Sequence, residues 1–501
     1  MKMLIAIVGS VLFGGVALAQ HPSVDAAACA RLAASLTLPH ATVTSARAVA
    51  AGEAVPGVPQ GAGLPAFCRV AMTLTPSTDS DIRSEVWLPL SGWNGKFLHV
   101  GNGAWGGSVQ YGALAAAVKR GYAAASTDTG HQGPGASFLV GHPEKMIDFG
   151  YRSVHETAVK GKATVAALYG TGPRLSYFDG CSGGGRQAFA EAQRFPEDFD
   201  GIIAGAPGYN RTVQSFQLVT IAQATHATPG SFIPASKYPV LRRAALNACD
   251  ANDGAVDGLI SDPIGCTFDP AVTQCTSGDG ADCLTAAQVA AAKTIYAPIL
   301  HPTTGDVLFP GAEPGSEMNW GGTSGSARPL GMSDDLFKSM VFNDPNWDFR
   351  TLDIAKHLDL AMTIDAGVIS PTSPDIKPFV DRGGKLLMYH GWGDTNISPR
   401  STVNYHNQLV QTLGARAVQE SVRLYMVPGM AHCGGGEGPN VFDMLTVLEQ
   451  WREQGTAPAE VLASRVEGGT VVRTRPLCPH PQVPKYTGIG SIDRAENFVC
   501  Q

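Results

Sequence analysis

Leu175-Ser176-Tyr177-Phe178-Asp179-Gly180-Cys181-Ser182-Gly183-Gly184-Gly185-Arg186 is the stretch on which the fold turns. An apolar run enters a glycine-rich turn, and a helical pattern follows from about Arg186 to Arg194. Gly180-Cys181-Ser182-Gly183-Gly184 fits G-x-S-x-G between strand and helix. Small flanking residues there let the turn tighten until the serine hydroxyl stands exposed above a sheet. A glycine-rich turn with no chemistry is the alternative reading of the pentapeptide alone.

Working outward, Gly95 to Val100 and Tyr122 to Thr127 read as buried strands, His155 to Tyr169 as a helix and Gly201 to Gly205 as a further strand. The pattern resumes at Gly384 to Gly391 and Val422 to Val427, with a helix from about Phe442 to Gln454. Strands alternating with helices imply a parallel sheet covered on both faces. The fold class expected is α/β, an α/β-hydrolase fold with a large inserted lid domain. Its core would comprise residues 20–208 and 384–501. Residues 209–383, rich in Gly, Pro and Asp, form the expected lid, since connections within a sheet are usually short.

A serine hydroxyl needs an imidazole within reach and a carboxylate to fix that imidazole's tautomer. The chain order in this fold is Ser, Asp or Glu, then His. Asp394 and His432 satisfy it, each on a loop after a strand, where open α/β sheets place their sites. His390 precedes Asp394 and reverses the order; His99, His131 and His155 precede Ser182; Asp381 lies before its strand. The oxyanion needs two N–H donors, expected from Gly183 and from Ala104 or Gly103 in the loop Gly101 to Gly107. Cys181 and Cys433 flank the nucleophile and base candidates. If Ser182 and His432 meet, the two cysteines fall within reach of a disulfide. A thiol hydrolase with Cys181 as nucleophile is a rival reading, as is a non-catalytic, calcium-dependent binding protein.

Composition narrows the class. With 36 Lys+Arg against 43 Asp+Glu and no basic block, a nucleic-acid partner is not expected. Met1-Lys2, an apolar run to Leu18 and Ala17-Leu18-Ala19 before Gln20 read as a cleaved signal peptide over residues 1–19. A membrane anchor or a buried N-terminal helix is the alternative, but the run is short for a span. The protein is therefore expected to be secreted or periplasmic, without a stable membrane anchor, its ten cysteines in disulfides. In the middle region, Asp250, Asp253 and Asp257 recur around glycines, an oxygen-rich pattern suited to structural Ca²⁺, with the Ala255 and Leu259 carbonyls as further ligands. An Asp/Gly-rich surface turn is the alternative. No organic cofactor is expected.

With these pieces in place, the chain resembles the tannase and feruloyl esterase family, which also contains the hydrolase of mono(2-hydroxyethyl) terephthalate. The resemblance runs from Cys29 to Cys500. It rests on Gly180 to Arg186, Tyr389-His390-Gly391 with Asp394, Pro428 to Cys433, Arg473 to Pro479 and Ala495 to Phe498. It implies a Ser182–Asp394–His432 triad, the Cys181–Cys433 bridge, a lid, and calcium held by Asp250, Asp253, Ala255, Asp257 and Leu259. It further implies the pairs Cys29–Cys68, Cys249–Cys266, Cys275–Cys283 and Cys478–Cys500. Its substrates are small-molecule esters of aromatic acids: ferulate, gallate or a terephthalate monoester. Arg328 and Arg350 are the candidates for a lid arginine that grips a carboxylate. Trp320, Phe337, Phe342, Trp347 and Phe349 are candidates for stacking on an aryl acid, with core packing as the alternative.

Overall fold

A computed structural model describes residues 23–61, 63–323 and 328–501; the expected signal peptide lies outside the described residues. Nine strands build the central sheet: β1 (Ala41–Val49), β2 (Phe67–Leu74), β3 (Ile82–Pro89), β4 (Lys96–Val100), β5 (Ala123–Thr127), β6 (Leu175–Cys181), β7 (Gly201–Gly205), β8 (Lys385–Gly391) and β9 (Val422–Val427). Their spatial order is β1-β2-β3-β5-β4-β6-β7-β8-β9. The pairs from β5 to β9 are parallel, and β1, β2, β3 and β5 pair antiparallel. This mixed sheet with helices is an α/β-hydrolase fold.

The parallel strands are apolar because helices cover both faces. Every residue of β4, β5 and β7 is buried. Phe97, Phe178, Ile202 and Met388 share one core with helices Ser153–Tyr169 and Gly183–Arg194, while Leu98, Tyr177, Ile203 and Leu387 share the other with Leu448 and Trp451. The antiparallel edge β1–β3 is absent from the sequence reading. β1 mixes Ala, Thr, Ser and Arg, and only part of it is covered. The hairpin Val461–Glu467/Thr470–Leu477 is likewise an addition.

Between β7 and β8 the chain contributes, among the described residues, no strand to this sheet. It builds an apolar cluster of its own around Ile233, Leu241, Leu284, Ile295 and Trp320, and another in which Phe216 and Phe337 meet Trp105 and Ile397. Ile376 and Phe379, near its end, pack into the sheet's own core. No helix of the described residues is long and apolar enough to cross a membrane.

Candidate active site

The turn after β6 is tight because nothing larger than glycine fits around it. A Cβ on Gly180 would stand 2.7 Å from the Gly184 carbonyl carbon, and one on Gly185 2.7 Å from Pro207 Cα. The helix therefore begins at Gly183, three residues earlier than the sequence suggested. Ser182 takes φ 65° and ψ −117°, a conformation costly for a residue with a side chain and characteristic of functional turns. Its N–H donates to Gly205 O at 2.9 Å and its carbonyl accepts from Gly208 N at 3.2 Å, which bolts the strained residue to the end of β7.

Three predicted residues come together here. Ser182 Oγ lies 2.8 Å from His432 Nε2, and His432 Nδ1 lies 2.7 Å from Asp394 Oδ2. A carboxylate only accepts, so Nδ1 carries the proton and Nε2 is free to accept from the serine. Asp394 is fully buried and has no unused acceptor. Oδ1 takes the N–H groups of Asn396 (2.8 Å) and Ile397 (3.1 Å), while Oδ2 takes His432 and also His390 Nε2 at 3.0 Å. Burial pushes the Asp394 carboxyl up, but His432 and His390 outweigh it and hold it well below the usual carboxylate range. Burial opposes a charged His432, yet the Asp394 carboxylate prevails and raises it above the ordinary imidazole value.

His390 is the residue that sequence reasoning set aside. It cannot be the base, but the structure makes it a second donor to the acid, oriented by Thr402 Oγ1 at 2.7 Å from its Nδ1. Asp381 is exposed and pairs with Lys377. Cys181 is bonded to Cys433, Cα to Cα 6.0 Å, so it carries no thiolate, and the bridge ties the serine turn to the histidine loop. The other four pairs are those the resemblance implies, and no described cysteine is free.

The Gly183 and Ala104 backbones lie side by side: a Cβ on Gly183 would stand 3.4 Å from Ala104 N. Ala104, at φ 49°, sits in a turn closed by Gly106 N–H to Gly103 O at 2.8 Å. Neither the Gly183 nor the Ala104 N–H has a backbone partner among the described residues.

In the acidic loop, Asp250, Asp253, Ala255 and Leu259 are buried. Asp250 accepts the N–H groups of Asp257 and Gly258, and Asp253 those of Ala255 and the Ser261 hydroxyl. Neither has an ion-pair partner among the described residues, so the loop holds buried charge and oxygen donors suited to a hard cation. Asp257 differs: Arg475 binds its carboxylate and Arg473 its carbonyl. The three carboxylates do not close into one cluster in this structure.

Trp320 and Phe337 are fully buried core residues, and Phe342 and Trp347 stack on each other at 5.3 Å. Arg328, Arg350, Trp347 and Phe349 line a separate cavity of about 590 Å³, in which Arg350 pairs with Asp348.

The model of a family described as tannase and feruloyl esterase matches residues 68–501. An uncharacterized esterase of Xanthomonas campestris pv. campestris is 38% identical, over 95% of this chain and 91% of that protein. A "Probable feruloyl esterase B-1" of Aspergillus oryzae is 33% identical, over 87% and 84%. The crystal structure of feruloyl esterase B from Aspergillus oryzae superposes with TM-score 0.89 at 32% identity, covering 95% of this chain and all of that one. The chain thus belongs to the tannase and feruloyl esterase family and is a carboxylic ester hydrolase.

Proposed function

We propose that the protein is a secreted serine esterase that hydrolyses small-molecule esters of aromatic acids, feruloyl esterase-like, through an acyl-enzyme. The observation that carries the mechanism is the continuous chain Ser182 Oγ–His432 Nε2, His432 Nδ1–Asp394 Oδ2. His432 takes the serine proton as Oγ attacks the ester carbonyl. The oxyanion is received by the Gly183 and Ala104 N–H groups, two adjacent donors without backbone partners beside the nucleophile. The same imidazole, now protonated, passes its proton to the departing alcohol. Water, deprotonated by His432 in turn, releases the acid. Asp394 keeps the tautomer and stays ionised throughout, as its depressed carboxyl pKa requires.

The aromatic acid half is supported by the names of the relatives, gallate and terephthalate monoesters being the alternatives to ferulate. Export is supported by five disulfides, stable in an oxidising compartment, and by the sequence of residues 1–19. For the acidic loop, Ca²⁺ held by the Asp250, Asp253 and Asp257 side chains and the Ala255 and Leu259 carbonyls would balance Asp250 and Asp253, which lie buried without an ion pair, while Asp257 would share its carboxylate between the ion and Arg475. The ion's role in this reading is structural. The direct test is hydrolysis of methyl ferulate, chlorogenate, a gallate ester and mono(2-hydroxyethyl) terephthalate by the protein and its Ser182→Ala variant. Cleavage of one of them by the unaltered protein alone is expected. Equal activity of the variant removes the serine mechanism, and cleavage of none by folded protein removes the substrate class.

A further inference from the structure

Gly208, whose N–H holds the Ser182 carbonyl, is followed three residues later by Arg211, the first residue of helix Arg211–Thr225. The Arg211 side chain is 3% exposed. Its guanidinium carbon lies 4.5 Å from the centre of the Trp105 ring, and Trp105 directly follows the oxyanion candidate Ala104. Nη1 approaches Met332 Sδ at 4.0 Å, but Nε and Nη2 have no hydrogen-bond partner among the described residues. Trp105 Nε1 and Asn210 Oδ1 nearby are in the same state. Burial, with repulsion from Arg186, pushes the Arg211 pKa down to about 9, and Asp335 pulls the other way from beyond ion-pair distance. The group is still charged at neutral pH.

The free edge has a definite shape. Nε–H and one Nη2–H point the same way and match two adjacent oxygens. Two other arginines show that edge filled: Arg69 Nε and Nη2 meet the two Glu85 oxygens at 2.7 and 2.6 Å, and Arg400 meets those of Glu313 at the same distances. A charge buried without such a partner is costly, and groups perturbed in this way cluster at functional sites. The surroundings are aromatic: Phe149 lies 5.1 Å and Phe138 6.3 Å from Trp105, ring centre to ring centre. During turnover the alcohol half must reach His432, which protonates it, and Trp105 directly follows the oxyanion candidate Ala104, so the acid half is the part assigned to the Trp105 side.

We propose that Arg211 determines specificity by receiving, on its Nε/Nη2 edge, two neighbouring oxygens carried by the acid half of the ester. A ring carboxylate and a vicinal pair of phenolic oxygens share that chemistry. The proposal rests on the aromatic-acid reading above and sharpens it.

The experiment compares kcat/KM of the protein, Arg211→Leu and Arg211→Lys on four methyl esters, with 4-nitrophenyl acetate as the baseline ester. Methyl benzoate offers no oxygen pair; methyl ferulate offers a vicinal phenol and methoxy oxygen, methyl gallate vicinal phenols, and monomethyl terephthalate a carboxylate. Arg211→Leu should lower kcat/KM on the esters whose oxygen pair is recognised by roughly 10- to 100-fold more than on methyl benzoate and the acetate, mainly through KM. Lysine should restore little, having no parallel pair of N–H groups. The ester that loses most identifies the source of the pair. Equal factors on methyl benzoate, or no effect on any, would overturn the proposal. If the acetate is cleaved but no aromatic ester is, the aromatic-acid reading falls first and takes this inference with it. Competition by terephthalate against acetate hydrolysis gives a binding readout beside turnover. Terephthalate, with a second carboxylate left for Arg211 when the first lies at Ser182, should inhibit the unaltered protein about tenfold more tightly than the Arg211→Leu variant, and equal inhibition of the two counts against Arg211.

Discussion

The turn at Ser182 and the loop from Asp250 to Asp262 both bury polar side chains on short, glycine-containing segments, but they settle their charge differently. Around Ser182 each polar group in the hydrogen-bonded chain finds its partner inside the protein, and the one carboxylate, Asp394, has four donors. In the acidic loop, Asp250 and Asp253 are met by backbone N–H groups and one hydroxyl, with no cation in ion-pair range among the described residues. A site that performs proton transfer has to be electrostatically complete before substrate arrives. A loop whose balance depends on something external has a stability that external agents can change. Substitution at the first region should therefore act on turnover, and perturbation of the second on melting.

The largest effect is expected from Ser182→Ala: turnover falls by at least about 10⁴-fold with an unchanged melting curve. A melting temperature lowered in step would mean that the serine turn is structural. Next comes the bridge. Cys181→Ser with Cys433→Ser releases the turn from the histidine loop, residues 252 apart in sequence. Since a native disulfide contributes about 2–4 kcal/mol, both stability and kcat should fall, kcat by roughly 10- to 100-fold as the Ser182–His432 approach loosens. Loss of stability alone would make the bridge a fold staple without a part in alignment. His390→Phe removes one donor from Asp394 and should cost kcat about tenfold; His390→Gln, which keeps an N–H, should recover part of it. In the unaltered protein kcat/KM should fall on the acid side with an apparent pKa above about 6.5. The base must be neutral to act, and Asp394 raises the pH at which His432 takes its proton, so activity is lost as pH drops through that raised value.

The difference between the two regions also governs what the sequence discloses. β7 and β9 were readable to the residue because a parallel strand buried throughout, or in all but one residue as at Arg423, is an apolar run with sharp ends. Ser182, Asp394 and His432 were readable because chain order and strand ends constrain them. The same rule hid His390: order picks out a candidate base, yet says nothing of a second imidazole on the same carboxylate. Gly183 to Gly185 read as turn because glycine is a poor helix former, whereas close packing against Gly101 and Pro207 makes the helix start there. β1 escaped notice since an edge strand buried on one side has no apolar run to betray it. The Arg475–Asp257 pair spans 218 residues, a distance over which spacing carries no signal. Arg211 is of the same kind, because only a structure shows that a buried guanidinium lacks a partner.

The smallest effect, and the one that decides how the acidic loop is balanced, is thermal. Burial, with Asp250 adding to it, raises the Asp253 carboxyl. Without a bound cation, Asp253→Asn would relieve that cost and raise the melting temperature, and chelators would do nothing to the unaltered protein. With Ca²⁺ bound, stability gains roughly 3 kcal/mol at a hundredfold excess over Kd, so EDTA should lower the melting temperature by a few degrees and added Ca²⁺ should restore it. Asp253→Asn should then melt near the chelated value and ignore EDTA. Ester hydrolysis below the melting range should be the same with and without chelator, because the ion supplies no proton and polarises no carbonyl. If EDTA reduces kcat while the melting curve stays put, the acidic loop is coupled to the Ser182 site, and the separation between a self-contained site and an externally balanced loop no longer holds.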